Sequence, residues 1–298
     1  MTGLGNLIRR NCRLFFRDKG MFFSSLITPI ILLVLYVTFL GNVYRDSFTG
    51  ALPEGFVIED ALLNATVGGQ LISSLLAVCC VTVAFCSNLL MVQDRVSGAR
   101  RDLAVSPVRP STIAVAYFCA SALATLLISL TALAVCLGYL AMAGWLLRAG
   151  DVLFMLLDVA LLTLFGVALS SCVNFPLRTQ GQGSAVGTIV SAGYGFLCGA
   201  YMPISNFSSG LQKVLSFLPG TYGTSLLRNH ALAGAYREMA RVGFPADVIE
   251  AIRDSIDCNL YFFGRSVSIG GMYAVLVGAT LLLVGLYVLL NAVRRERT

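Results

Sequence analysis

Long apolar runs separated by short polar segments dominate the chain. Six of these runs approach or exceed the ~20 residues that a transmembrane helix needs. All charged residues except Asp158 lie outside the runs. The pattern predicts an all-α integral membrane protein with six transmembrane helices in a single domain, residues 1–298. The predicted spans are about 21–43, 67–92, 111–142, 152–173, 184–203 and 267–291.

Residues 4–19 precede the first span and are predicted to form an interfacial helix. At about 100° per residue, their leucines and phenylalanines fall on one broad face and their arginines on the other. Such a helix lays its apolar side in the acyl boundary and directs its cations to headgroups and cytosol. An ordinary basic flank is the alternative, and the separation of faces favours the helix. The arginines are Arg9, Arg10, Arg13 and Arg17.

The outer segment 204–266 lies between the last two spans. Two moderately apolar stretches, 207–218 and 221–234, are each too short to cross a bilayer and are broken at Pro219-Gly220. We expect short re-entrant helices that close the outer end of a pathway; a purely extracellular cap is the alternative. The predicted gate residues are Met202, Pro203, Phe217, Leu218 and Pro219.

Composition agrees with the membrane class, because 57% of the residues are hydrophobic and only 12% are charged. Thirteen of the 21 Lys and Arg residues fall on one side if the N-terminus is inside. The positive-inside rule therefore predicts cytoplasmic termini in a multi-pass cell-membrane protein, in bacteria the plasma membrane. Of the nine cysteines, Cys258 alone lies in a polar region, so we expect no disulfide and no metal site.

The polar segment 93–110 separates the second and third spans on the cytosolic side. Residues 97–105 are predicted to form a short helix that ends at Ser106-Pro107, because proline disfavours helix in the residue before it. Its mixed charged and apolar surface suits docking onto a protein. The predicted docking residues are Arg100, Arg101, Asp102, Leu103 and Val105.

Small residues recur every four positions along the fifth span. This spacing lets helix backbones approach closely, either for plain internal packing or at an interface that moves. The stripe consists of Gly183, Gly187, Ser191, Gly195 and Gly199.

Two polar residues inside the spans have alternative interpretations. Asp158 is either a proton or substrate site or a structural partner for Arg148 or a polar group on a neighbouring helix. Asn88 either lines a pathway or joins two helices.

The sequence gives little support for a catalytic, metal or nucleotide-binding site in this chain. His230 is the only histidine and is predicted to lie at the surface, which disfavours zinc, haem and Ser-His sites. Neither lysine follows the glycine that a P-loop requires. We expect no cofactor on this chain and no nucleic-acid partner; ATP, if used, is hydrolysed elsewhere.

The segment between spans two and three reads DR-x-x-G-x-x-x-D-L-x-x-S-P, with Gly98, Asp102-Leu103 and Ser106-Pro107 at its fixed positions. Met202-Pro203 is followed by FLPGTYGTSLLRNHALAG at 217–234. Together with the interfacial helix and six spans, these motifs resemble the ABC-2 type permease family, in its bacterial branch of daunorubicin-type drug exporters.

The resemblance implies a dimeric transport subunit, as homodimer or heterodimer, that binds two copies of a separate ABC ATPase. ATP and Mg²⁺ would be held by that ATPase. Residues 4–19 and 97–105 would be the connecting and coupling helices, and spans two and five would line the pathway. The expected activity is export of a lipophilic or amphipathic molecule, of the drug, lipid or glycan-lipid class.

Two other classes compete with this interpretation. A proton-coupled secondary transporter would use Asp158, but the sequence shows neither inverted repeats nor broken mid-membrane helices. An integral-membrane enzyme lacks a convincing nucleophile, base or metal set.

Overall fold

The computed structural model describes residues 2–50, 59–105 and 108–295. The chain is built from helices joined by short connections, with one two-stranded ribbon near the C-terminal end. The elements are α1 (Thr2–Arg17), α2 (Lys19–Leu35), a π-helical turn (Tyr36–Leu40), α3 (Gly41–Gly50), α4 (Asp60–Asn88), α5 (Leu90–Val96), α6 (Ala99–Val105), α7 (Pro110–Ala143), α8 (Ala149–Asn174), α9 (Gln180–Leu197), a 3₁₀ turn (Ile204–Asn206), α10 (Ser209–Leu215), α11 (Pro219–Arg241), α12 (Ala246–Ser255), β1 (Leu260–Phe262), β2 (Arg265–Val267) and α13 (Ile269–Arg295).

Five helices within the described residues are long and apolar enough to cross a membrane. They correspond to the predicted spans one to four and six, and they support an all-α membrane protein. The remaining predicted span, 184–203, falls on α9, which has 18 residues and a length of about 27 Å. Gln180 and Gln182 make its first turn polar, and the helix ends at Leu197 rather than at residue 203.

Helix α4 forms the centre of the molecule and is buried along nearly its whole length. It packs against α2, α7, α8, α9 and α11. Close approach depends on glycine: a Cβ on Gly69 would lie 2.9 Å from the carbonyl oxygen of Ala231 in α11. On α8, a Cβ on Gly166 would lie 3.0 Å from the carbonyl oxygen of Cys80.

Helix α1 packs against the first half of α7, so its apolar face lies partly on protein. Leu7 and Phe15 are buried in a cluster with Ile113 and Tyr117. The predicted boundary at residue 19 is close, because α1 ends at Arg17 and Asp18 begins α2 as its N-cap. The Asp18 carboxylate accepts a hydrogen bond from the Met21 N–H at 3.0 Å.

The predicted outer segment contains a 3₁₀ turn, the helices α10, α11 and α12, and a two-stranded ribbon. Helices α10 and α11 match the two predicted stretches, but α11 has 23 residues and continues beyond Gly234 to Arg241. The ribbon pairs Leu260 with Val267 and was not predicted, because three-residue strands give almost no periodic signal.

Candidate functional site

The segment between α4 and α7, predicted to be cytosolic, has two short helices that meet at Gly98. Helix α5 continues the line of α4 to Val96, and α6 begins at Ala99. Gly98 has φ of +84°, a left-handed conformation that suits glycine. The predicted helix over 97–105 is thus present from Ala99 onward, whereas its predicted stop at Ser106-Pro107 lies outside the described residues.

Asp94 at the end of α5 joins this segment to two other helices. Its carboxylate accepts hydrogen bonds from both terminal nitrogens of Arg10 in α1, at 2.7 and 3.2 Å. The hydroxyl of Tyr117 in α7 donates to the same carboxylate at 2.6 Å. Asp94 is only 5% exposed, and its hydrogen bond to Arg10 raises the pKa of that guanidinium. The three groups hold α1, α5 and α7 in one arrangement.

Arg95 attaches the same segment to the end of α8. Its Nη1 donates to the carbonyl oxygens of Asn174, Phe175 and Leu177, at 3.2, 2.5 and 2.8 Å. Its guanidinium also lies 5.4 Å from the centre of the Phe175 ring. Carbonyls at a helix end have no partners within the helix, so a cation satisfies them and favours the negative end of the helix dipole. Movement of α5 would therefore act on α8 as well as α1 and α7.

The predicted docking residues fall on two sides of α6. Arg101, Asp102 and Val105 are exposed, and Val105 is 89% exposed. Leu103 instead packs against the α1 cluster, and Arg100 is partly buried. Three of the five predicted docking residues, Arg101, Asp102 and Val105, are therefore accessible to a partner.

The predicted arginines of the interfacial helix are divided in the same way. Arg9, Arg13 and Arg17 are exposed, whereas Arg10 turns toward Asp94. Helical periodicity places Arg10 with the cations but does not reveal an acid 84 residues away that pairs with it.

A groove of about 930 Å³ lies between α2 and α9, with the end of α4 at its back. Its walls are mostly apolar, and hydroxyls contribute small polar spots along it. The residues that matter here are Thr28, Ile31, Leu89, Gly187, Ser191 and Met202. Gly187 and Ser191 from the predicted stripe and Met202 from the predicted gate thus share one cavity.

The stripe residues on α9 face different neighbours. Gly183 and Gly187 lie against Leu89, where Cβ atoms would be 3.2 and 3.9 Å from that side chain. Gly195 lies under the ring of Tyr201, and a Cβ there would come within 2.3 Å of it. Gly199 has φ of +73° and ends the helix region. The close contacts found at Gly183 and Gly195 are therefore within one chain.

Asn88 lies away from the groove and connects two helices. Its amide nitrogen donates to the hydroxyls of Ser170 and Ser171 in α8, at 3.0 and 2.7 Å. It is 1% exposed. Of its two predicted roles, the geometry corresponds to the joining of helices.

Arg228 in α11 is a fully buried cation. Its Nη2 donates to the carbonyl oxygen of Gly199 and, at 3.3 Å, to the hydroxyl of Ser74 in α4. Its Nη1 donates to the Ile256 carbonyl oxygen at 2.9 Å and to Asp257 at 3.3 Å. One side chain thus connects α4, α11, the end of α9 and the chain beyond α12.

Asp257 completes this ion pair. Its carboxylate also accepts the backbone N–H groups of Ile204 and Ser205, at 2.5 and 3.2 Å. Burial raises the pKa of Asp257, and the Arg228 charge opposes that rise. A buried carboxylate with these partners fixes the chain just after Met202-Pro203.

The next two residues of α11 make further connections. The Asn229 amide donates to the Cys258 carbonyl oxygen at 2.6 Å and accepts from Arg253 at 3.0 Å. The His230 Nδ1 lies 2.6 Å from the Asp158 carboxylate in α8. On the other carboxylate oxygen, the Tyr273 hydroxyl of α13 donates at 2.6 Å.

His230 is not the surface residue that the sequence suggested. Its side chain is 12% exposed and its ring stacks on Phe154 at 4.9 Å. Asp158 does not pair with Arg148; its partners are polar groups on neighbouring helices, which was the other structural option. Cys258 is also buried rather than exposed, with the Tyr236 hydroxyl 3.2 Å from its sulfur.

The remaining gate residues lie around the start of α11. Pro203 is buried, Pro219 is the first residue of the helix and Leu218 is half-buried beside it. Phe217 is exposed and contacts the rings of Phe262 and Phe263, with centroids 5.2 and 5.9 Å away.

Sequence reasoning missed the residues that connect the elements. Asp94, Arg95, Arg228 and Asp257 were not proposed as site residues. Asp94, Arg95 and Arg228 belong to motifs already noted, and charged residues beside or within apolar stretches were the available signal. Asp257 lies in a polar region and gave no such signal.

Five helices long and apolar enough to cross a membrane, with α5 bonded to α1, α7 and α8, are consistent with a multi-pass membrane protein in the described part of the chain. The sequence profile of the ABC-2 type transporter family matches residues 2–231, so the chain belongs to that family. Members of this kind are permease components that work with an ABC ATPase subunit and are not ATPases themselves. No curated protein matches the chain closely enough to count as a relative.

Proposed function

We propose that this chain is the permease subunit of an ABC exporter that moves a lipophilic or amphipathic molecule outward. A separate ATPase subunit, in two copies, would bind ATP and Mg²⁺ and dock on the exposed side of α6. The observation that carries the proposal is the attachment of α5, which leads directly into α6, to α1, α7 and α8 through Asp94 and Arg95. Because only Ser97 and Gly98 separate α6 from α5, and Leu103 packs against the cluster of Leu7 and Phe15, a push on α6 would be passed through α5 to α1, α7 and α8.

The groove between α2 and α9 supports the substrate class. Its apolar walls and scattered hydroxyls suit a molecule with a large hydrocarbon part and few polar groups. Both helices expose large apolar side chains, such as Ile31 and Ile189. We propose that a second copy of the permease, identical or related, faces this groove and encloses the pathway.

The segment from Met202 to Gly234 serves as the outer gate in this proposal. The first turns of α11 lie deep in the bundle, because Gly223 packs against Leu162 near the middle of α8. The far end of α11 reaches the outer end of α8, where Arg237 pairs with Asp151. This path supports a re-entrant hairpin, with α10 entering the outer leaflet and α11 returning.

Transport by inverted vesicles tests the proposal. The chain is co-expressed with a candidate ABC ATPase subunit, and ATP-driven uptake of a lipophilic fluorescent dye is measured. Exchanging the charges of exposed α6, in the double variant Arg101→Glu and Asp102→Lys, should abolish both ATPase binding and uptake. The matched control Asp247→Lys, on the outer helix α12, should leave both intact.

Uptake driven by a proton gradient without ATP would overturn the proposed ATP-driven mechanism. It would favour the alternative, a proton-coupled transporter that uses Asp158. Unchanged ATPase binding in the α6 variant would instead place the docking surface elsewhere.

The gate is tested separately by single cysteines in a background without native cysteines. Positions Val214 and Leu211 are exposed in α10, so a hairpin in the leaflet should shield them from an impermeant thiol reagent. The exposed outer residue Asp247 should label fully as a cysteine. Full labelling at all three positions would show that the segment is an extracellular cap.

A further inference from the structure

A second groove, of about 580 Å³, lies between the cytosolic ends of α7 and α13, apart from the proposed pathway. Its volume falls within the range of roughly 300–1,000 Å³ that is usual for ligand sites. Apolar side chains from both helices line most of it, and two polar residues lie toward the helix ends. The residues used here are Ser111, Val115, Phe118, Tyr287, Val288 and Asn291.

Tyr287 gives the groove a fixed floor. Its hydroxyl donates to the Ala114 carbonyl oxygen at 3.3 Å, and its ring lies 6.3 Å from the rings of both Phe118 and Phe175. These contacts hold α7, the end of α8 and α13 together below the cavity. The groove therefore does not close by simple collapse of its walls.

The open side of the groove faces the bilayer. Val115 is 44% exposed and Val288 is 59% exposed, and both belong to predicted spans. Hydrocarbon is the medium that fills an apolar cleft on this surface. An acyl chain has the required shape, since it is long, thin and flexible.

Arginines are close to the cytosolic end of the groove in the sequence. Arg109 directly precedes Pro110, which lines the groove, and Arg294-Arg295 follow Asn291 by one turn in the sequence. The Arg100 guanidinium is close enough to act electrostatically on the Tyr287 hydroxyl. Its Nη1 is buried and has no hydrogen-bond partner in the described part of the chain. The nearby acid Asp94 already pairs with Arg10.

We propose that this groove binds one anionic phospholipid of the inner leaflet, with an acyl chain between α7 and α13 and its phosphate near Arg100 and Arg109. Basic pockets between transmembrane helices on the cytosolic side are suited to such headgroups. The inference rests on the orientation used in the proposed function, in which α6 faces the cytosol. It does not depend on the substrate or on ATP. Bound lipid would connect α6 to α13, two helices that make little direct contact in the described part of the chain.

Lipid quenching of a single tryptophan tests the site. Trp145, the only tryptophan, is replaced by Phe, and Val115→Trp places a reporter in the groove wall. In phosphatidylcholine vesicles, brominated phosphatidylglycerol should reach half-maximal quenching at a several-fold lower mole fraction than brominated phosphatidylcholine. The matched reporter Leu123→Trp, exposed on the same helix outside the groove, should respond equally to both lipids.

Charge variants separate a headgroup site from general lipid contact. Adding Arg100→Gln and Arg109→Gln should remove the preference at the groove reporter. Arg178→Gln, an exposed cytosolic control, should keep it. Val288→Trp reports from the opposite wall if the first reporter fails to fold.

Equal quenching by both lipids at the groove reporter, or preference that survives loss of both arginines, would overturn the proposal. Absence of quenching at both walls would overturn it as well, because the groove would then be closed to lipid. These readouts use no ATPase, so failure of the exporter assignment does not affect them.

Discussion

Asp158 and His230 lie on different helices, yet the carboxylate and the imidazole are 2.6 Å apart within the membrane part of the protein. The Tyr273 hydroxyl occupies the other carboxylate oxygen. All groups of this cluster have partners on one another, and three helices meet there. This arrangement favours a structural role for the only charged residue inside the predicted spans.

Replacement of Asp158 by Asn should leave ATP-dependent transport near normal, because the amide retains hydrogen bonding and loses only charge. Asp158→Leu should lower stability more, since it leaves His230 and the Tyr273 hydroxyl without their partner. Each unsatisfied buried group costs roughly 1–3 kcal/mol. Thermal unfolding of the detergent-solubilised protein measures the difference. Complete loss of transport in a folded, ATPase-bound Asp158→Asn variant would contradict the structural role.

Removal of the Arg10 charge should uncouple α1 from α5. Arg10→Gln leaves Asp94 nearly buried beside a weaker partner, so we expect reduced transport with ATPase binding retained. Arg9→Gln, one residue earlier and exposed, is the matched control and should behave as wild type. Adding Asp94→Asn should recover part of the loss, because contacting residues are not additive. Strictly additive losses would show that the pair does not act as a unit.

Breaking the Arg228–Asp257 pair should destabilise the outer half strongly. Removing one member of a buried pair costs about 3–5 kcal/mol, because the other charge is left uncompensated. Arg228→Met or Asp257→Asn should therefore lower the unfolding temperature and expose residues 202–206 to protease. Arg265→Met, in the exposed ribbon, is the control. Proteolysis unchanged from wild type would show that another contact fixes this segment.

Gly195 should accept a side chain only if the Tyr201 ring moves away. Gly195→Ala would place a methyl within 2.3 Å of the ring, so transport should fall, and Tyr201→Ala in the same chain should restore it. Gly193→Ala is the matched control, because nothing lies within 4 Å of a Cβ there. If the double variant does not recover transport, the critical contact of Gly195 is with another helix or with a second copy.

Cys258 should resist thiol reagents although it lies in the outer segment. Burial raises the pKa of its thiol to about 11, from an ordinary value of 9.0. The thiolate is the reactive form, so labelling by a maleimide at pH 7 should be at least tenfold slower than in SDS-unfolded protein. The rate should rise with pH until the folded pKa is passed. Rapid labelling of the folded protein at pH 7 would mean that the outer cluster opens readily.

Hydrophobic pattern was sufficient to predict the five long spans and the cytosolic helix α6, because length and apolarity are local properties of the sequence. Helix α11 was predicted at the right place but too short, because Arg237, Glu238 and Arg241 interrupt the apolar pattern in its last turns. Pairings such as Arg10 with Asp94 depend on how distant segments meet. No local pattern contains that information, so the connecting residues of the site emerged only from the structure.

The burial of α4 has a consequence for biogenesis in the membrane. Its partner surface at Gly69 is completed only by Ala231, which at about 5–20 residues per second is synthesised roughly 10–30 s later. During that interval α4 must reside in lipid or beside the insertion machinery. Three hydroxyls of α4 already have partners within the helix. Thr66, Ser73 and Thr82 donate to the carbonyl oxygens of Leu62, Gln70 and Val78, respectively. These three hydroxyls can thus remain hydrogen-bonded in hydrocarbon before α11 arrives to cover the helix.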